Sequence, residues 1–305
     1  SDGDTRGDNS GPDCCMIYWP DTNHTENHAP DIFPHNKHQW VDQDGDGFGD
    51  ILVGAYTSDT SGNNRRGRTY LLYGKGEAQG AVVSAATLDG VIGSTFIGSD
   101  DADESGYSVT VAGDINGDGF SDVIIGARFA EHETAADEGG EAYLVFGSAD
   151  GFPATVELSS IDGDSGTVFY QNNASDMLGT AVGTAGDING DGYSDMLIAT
   201  RYADPNSILN AGEAFLVLGK SNSFASTFDV ESLDGTTGVQ YQGSTHHGGA
   251  GTSVASAGDF NGDGFDDFLS GATPHGVEGE AYLVFGQEAS LPTSVQFSGM
   301  DGQNG

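Results

Sequence analysis

A chain of 305 residues with 36% hydrophobic content can bury a core, and 49 glycines against 8 prolines suit a fold of many tight turns. The formal net charge of -38, from 47 acidic against 9 basic residues, argues against nucleic acid or an anionic membrane surface as partner and makes cations the natural ones. No apolar run of about 18 residues occurs, so no direct membrane insertion is expected, and the polar first residues do not read as a signal peptide.

Residues 1–40 form a non-repeat segment. It holds the adjacent Cys14 and Cys15 with His24, His28, His35 and His38 nearby. Zinc sites usually space cysteines by about two to four residues, so a vicinal, intermolecular or absent disulfide is preferred to a metal. No Cys-x-x-Cys-His occurs, which excludes covalent haem. Arg6-Gly7-Asp8 spells an adhesion tripeptide, of a kind that arises readily by chance in Gly/Asp-rich tails. Asn23, and Asn173 further along, are sequons that permit N-glycosylation where the producing cell glycosylates. Met16 to Trp19 is a candidate strand.

From residue 41 the chain repeats itself. The nine-residue pattern Asp-x-[Asp/Asn]-Gly-Asp-Gly-[Phe/Tyr]-x-Asp begins at Asp42, Asp114, Asp187 and Asp259, at spacings of 72, 73 and 72 residues. The repeats run over about 41–105, 106–178, 179–250 and 251–305. In the second copy Gly106 to Val111 alternates as a strand, 114–122 form the loop, Asp122 to Ala127 continues as a second strand, and Tyr143 to Phe146 is the third. A fourth strand surrounds the aromatic that follows an apolar-Asp-Gly triplet: Phe96, Phe169 and Tyr241. Four short antiparallel strands per repeat is the content of a propeller blade, so the predicted fold is an all-β propeller.

Spacing separates paired segments from free ones. From the Gly that ends the third strand (Gly74, Gly147, Gly219, Gly286) to the triplet Asp (Asp89, Asp162, Asp234, Asp301) the distance is 15 in every copy. From the triplet Asp to the next opening glycine (Gly106, Gly179, Gly251) it is always 17. All length variation lies between the nine-residue loop and the third strand, which marks one elastic surface connection per repeat. The first of these carries Arg65, Arg66 and Arg68, three of the nine basic residues, for which a solvated loop is preferred to docking on an acidic neighbour.

The loops carry the chemistry. Calcium takes about six to eight hard oxygen ligands, and side-chain oxygens at positions 1, 3, 5 and 9 with a backbone carbonyl at 7 can wrap one ion. Glycines at 4 and 6 let the backbone curl with positive φ. Unit charges about 5 Å apart repel by roughly 1 kcal/mol in water and about 3 near a protein surface, so an empty loop should open. Four ions would bring -38 only to -30, so the remaining acidity has another cause. An EF-hand needs Glu at position 12, where this chain has Val53, Ile125, Ile198 and Ser270. No nucleophile with a base, isolated carboxylate pair or phosphate loop stands out, so no enzyme is expected, and His246 and His247 read as surface residues.

The stretch SGYSVTVAGDINGDGFSDVIIGA followed by GGEAYLVFG resembles the FG-GAP repeat of integrin α-subunit propellers, and the resemblance covers about residues 41–305. It implies a propeller of FG-GAP blades and one calcium per loop, about four ions in all. The ligands would be Asp42, Asp44, Asp46, the Phe48 carbonyl and Asp50; Asp114, Asn116, Asp118, Phe120 and Asp122; Asp187, Asn189, Asp191, Tyr193 and Asp195; and Asp259, Asn261, Asp263, Phe265 and Asp267. It also implies an extracellular or cell-surface, noncatalytic role in adhesion or assembly, with protein, glycan or further copies of the chain as partner, as a homo-oligomer or filament. A lectin-like module and an accessory domain of a secreted hydrolase are the alternatives. The family usually closes seven blades and four loops are present here. Either the blades are part of a larger set, or the N-terminal segment supplies missing strands, with Met16 to Trp19 as candidate.

Overall fold

The six residues Asp122–Ala127, DVIIGA, form a near-continuous apolar run that suits a strand covered on both faces, and every one of them is buried. The structure, a computed structural model, describes residues 48–58, 65–75, 83–132, 138–221, 224–273, 278–288 and 291–302. Among these the regular elements are strands and short 3-10 turns. The first repeat contributes β1 (Ile51–Ala55), β2 (Arg68–Leu72) and β3 (Gly93–Ile97). The second contributes β4 (Ser105–Gly113), β5 (Asp122–Ala127), β6 (Glu141–Val145), β7 (Thr155–Glu157) and β8 (Gly166–Tyr170). The third holds β9 (Ala181–Gly186), β10 (Asp195–Thr200), β11 (Glu213–Val217), β12 (Thr227–Asp229) and β13 (Gly238–Gln242). The fourth holds β14 (Ala250–Gly258), β15 (Asp267–Ala272), β16 (Glu280–Val284) and β17 (Ser294–Gln296).

Each repeat folds into one antiparallel sheet in chain order, such as β4-β5-β6-β8, and the first strands of neighbouring sheets pack on one another, β4 on β9 and β9 on β14. This is the propeller-like, all-β arrangement expected from the sequence. One element was not foreseen. Each of the first three sheets is completed by a parallel strand from the following repeat: β7 joins β3, β12 joins β8, and β17 joins β13. Each of these strands runs into a 3-10 turn, Leu158–Ser160, Val230–Ser232 or Phe297–Gly299. The constant 15-residue spacing is therefore the length of a clasp that leaves one blade, pairs with the edge of the preceding one and returns.

No blade owns its core. Along β5, Val123 and Ile125 enter the cluster shared with the first sheet, beside Leu71 and Phe96, while Ile124 enters the cluster shared with the third, beside Ile198 and Phe215. A third cluster joins Leu197, Leu216 and Val239 to Phe268, Val284 and Phe297. Strand ends approach so closely that a Cβ on Gly126 would stand 2.1 Å from the Gly179 carbonyl oxygen, which explains the Gly-Ala pair that closes this strand. Leu158, 1% exposed, anchors the first clasp in the core between the first two sheets. Leu158→Ala should cost about 2–5 kcal/mol, against about 0.5 kcal/mol or less for the exposed Ser159→Ala, as read from urea midpoints.

Among the described residues β16 pairs with β15 alone, and beside it lies a groove of about 540 Å³ lined by residues including Glu280, Tyr282, Phe297 and Met300. Arg6 to Asp8, Cys14, Cys15, Met16 to Trp19, Asn23, the four N-terminal histidines, and Asp42, Asp44 and Asp46 lie outside the described residues.

Candidate metal centre

In the second, third and fourth sheets, where they are described in full, the nine-residue loops join the first and second strands, at the end opposite the elastic connections. In 114–122 the first aspartate organises the turn: Asp114 Oδ1 accepts from the N–H groups of Gly117 (2.7 Å) and Asp118 (3.0 Å), and Oδ2 from Gly119 (2.9 Å). Asn116 Oδ1 accepts from Asp118 N and Asp118 Oδ1 from Phe120 N, each at 2.9 Å. The other loops repeat this. Asp187 accepts from the N–H groups of Asp191 and Gly192, and Asp259 from those of Gly262, Asp263 and Gly264.

Position 9 is different in kind. Asp122 is fully buried, and its two oxygens accept from Ile115 N at the start of the loop and Gly147 N beyond the third strand, both at 2.9 Å. Asp195 does the same with Ile188 N and Gly219 N, and Asp267 with Phe260 N and Gly286 N. In the first repeat Asp50 Oδ1 accepts from Gly74 N at 2.7 Å. The ninth residue is thus a latch between loop and third strand. Burial pushes the Asp122 carboxyl up to about 7 and Asp195 up to about 8, against the pull of those N–H donors; Asp267 is raised for the same reason.

Successive loops are also stapled together. A Cβ on Gly117, whose φ is +75°, would stand 2.3 Å from Tyr193 Cε1, and one on Gly190 2.5 Å from Phe265 Cε1. The aromatic at position 7 of one loop therefore covers the glycine at position 4 of the loop before it. Ser194 N donates to the Asp114 carbonyl at 3.0 Å and Asp266 N to that of Asp187 at 3.1 Å, so loop backbones are hydrogen-bonded from blade to blade.

Does this donor set suit a metal? Among the described residues no group of three or more His, Cys, Asp and Glu side chains converges as a preformed cage. The loops draw on Asn and a backbone carbonyl as well, and hold their carboxylates on loop N–H groups with no cationic side chain in the nine residues. All-oxygen donors on a curled, glycine-relaxed backbone fit a hard cation of the calcium class. Asp114, Asn116, Asp118, the Phe120 carbonyl and Asp122 would hold it, with Asp187, Asn189, Asp191, Tyr193 and Asp195, and Asp259, Asn261, Asp263, Phe265 and Asp267, in the next two loops. Of the first loop only Phe48 and Asp50 are described.

The elastic connections hold their basic residues inward. Arg65 Nη1 meets Glu104 Oε1 at 2.6 Å, and Arg66 Nη2 lies 3.6 Å from Glu157 Oε2 on the clasp strand, so the acidic neighbour of these arginines is this chain itself.

A family model described as FG-GAP repeat matches residues 105–145, 178–217 and 250–284. Integrin alpha pat-2 of Caenorhabditis briggsae is 26% identical over 210 residues, 66% of this chain and 16% of its own length. Integrin alpha-PS3 of Drosophila melanogaster is 30% identical over 167 residues, 55% of this chain and 13% of its own length. A phosphatidylinositol-glycan-specific phospholipase D of Bos taurus is 29% identical over 206 residues, 66% of this chain and 23% of its own length. The chain thus spans less than a quarter of each of these relatives.

Proposed function

This chain is an FG-GAP repeat protein of integrin-α-like type, and from that premise we propose that it is a noncatalytic, calcium-stabilised extracellular module that binds other proteins or further copies of itself in adhesion or surface assembly. The observation that supports this most is the repetition of one loop geometry: three described loops share the same carboxylate, amide and carbonyl donors and the same latch at position 9, and the first two are each stapled to the next. A calcium ion bound there supplies the positive charge that lets clustered carboxylates coexist. The residues do the rest. Position 1 curls the loop, position 9 ties it to the third strand, and position 7 passes its order to the preceding blade.

No helix among the described residues is long and apolar enough to cross a membrane. The elastic connections, at the other end of the sheets, are the surface on which partners would be chosen. Beads coated with the chain should cluster with one another or coat cells in millimolar calcium and disperse in EGTA. Beads that stay dispersed and cells that stay bare in calcium would overturn the adhesive role. The bovine relative, named as a phospholipase, favours a second reading, in which such repeats accompany a catalytic unit.

A further inference from the structure

At the elastic end of the sheets, the junctions between the first and second and between the second and third sheets both gather carboxylates, but balance them differently. Between the first and second sheets, Glu104 is 1% exposed and held by Arg65 at 2.6 Å and Arg128 at 2.7 Å. Glu141 is held by His132 Nδ1 at 2.9 Å and by the Tyr143 hydroxyl, with the buried Asp103 close by.

Between the second and third sheets two of the three acids remain, while Arg65 and His132 have no basic counterpart. The bridges Gly67 to Ser105 and Gly140 to Leu178 fix the correspondence between the junctions. Arg65 becomes Glu138 and Glu104 becomes Met177; each pair keeps a positive φ, 46° with 56° and 55° with 60°. Five residues past the second strand His132 becomes Pro205, and in the third strand EAYLV becomes EAFLV, so Tyr143 becomes Phe215. Asp103 and Glu141 persist as Asp176 and Glu213, 5% and 6% exposed. Arg201, the counterpart of Arg128, lies over the Tyr202 ring at 5.2 Å. Asp204 and Glu231 add further negative charge around Asp176.

A neutral oxygen donor appears at the same junction. Gln171 occupies the position of Gly98 and Gly243 in the neighbouring sheets, is wholly buried, and has neither amide atom hydrogen-bonded. It lies two residues past Phe169, and Glu213 two before Phe215; both rings belong to the core of this junction, so strand alternation turns Gln171 and Glu213 onto it together. The amides of Asn173 and, more weakly, Gln171 adjoin the Asp176 carboxylate closely enough to favour its ionised form, and Asp176 Oδ2 is itself buried without a hydrogen bond. Gln242 Nε2 serves one oxygen of Glu213 at 3.0 Å. Burial pushes Asp176 up to about 6 and Glu213 up to about 7, as expected of carboxyls left without counter-charge.

We propose that this junction binds one hard divalent cation of the calcium class, held by the carboxylates of Asp176 and Glu213 and the amide oxygen of Gln171. It replaces from solution the positive charge of Arg65 and the donor of His132 at the preceding junction. The donors are all oxygen and all nine-tenths or more buried, which suits a bare ion. The site is separate from the loops at the other end of the blades, so either stands if the other fails.

Crystals of the whole chain soaked in manganese should show an anomalous peak between Gln171, Asp176 and Glu213, distinct from any peak at the loops. Water alone there, or a basic side chain from a neighbouring copy, would overturn the proposal. In solution, the Asp176→Asn/Glu213→Gln chain should bind one calcium fewer by equilibrium dialysis, while Asp191→Asn leaves the junction's manganese peak in place. An unchanged count in the folded double variant would equally overturn it; if that variant does not fold, the soaked wild-type crystal decides.

Discussion

Excess EGTA should lower the thermal midpoint of this chain by on the order of 15–30 °C. A ligand at about 100 times its dissociation constant stabilises the folded state by about 2.7 kcal/mol per site, so three loops together contribute on the order of 8 kcal/mol. At about 2–4 °C per kcal/mol for chains of this general size, the shift is well outside error. The loops explain why the loss spreads. With Asp114 and Asp118 unneutralised, repulsion opens the turn that Gly117 needs to receive the Tyr193 ring, and the next blade loses a packing surface. Since each core cluster is shared by two sheets, loosening one blade exposes part of its neighbour. A midpoint unmoved by chelator would remove calcium from the account of stability.

Two aspartates of one loop should differ in what their loss costs once the ion is gone. Asp122→Ala removes the acceptor of two buried N–H groups, Ile115 N and Gly147 N, and leaves a hole where a fully buried side chain stood. About 1–3 kcal/mol per orphaned donor gives a cost of about 2–6 kcal/mol that persists in EGTA, with the loss of a ligand oxygen added to it in calcium. Asp118 is exposed, and its links are to Phe120 N and the Asn116 amide within the loop. Asp118→Ala should therefore cost about 2 kcal/mol in calcium and little in EGTA, because what it loses is affinity for the ion. Urea midpoints of both variants in both buffers separate latch from ligand; equal responses would show that the two positions share one role.

The strands and loops were legible in the sequence because their signals are local. β5 begins and ends where the apolar run after Asp122 does, and Phe96, Phe169 and Tyr241 lie in outer strands as their spacing from the triplet implied. What escaped depends on partners far along the chain. The clasp strands are three residues each, TVE, TFD and SVQ, with no periodic signature, and they are ordered by an edge in the preceding repeat. The aromatic at position 7 reads from sequence only as a carbonyl donor; its ring packs on a glycine one repeat earlier. The latch role of position 9 depends on Gly147, 25 residues on, and the arginines of the first elastic connection find their acids at Glu104 and Glu157. A constant spacing was the one sign that something held the 15-residue segment at fixed length, and it did not reveal the partner.

The most direct measurement is a crystal structure of the whole chain grown in calcium. The account predicts one ion in each of the loops 114–122, 187–195 and 259–267, ringed by the oxygens of positions 1, 3, 5, 7 and 9 at about 2.3–2.6 Å. Loops with those oxygens turned out to solvent and no ion between them, at saturating calcium, would contradict it.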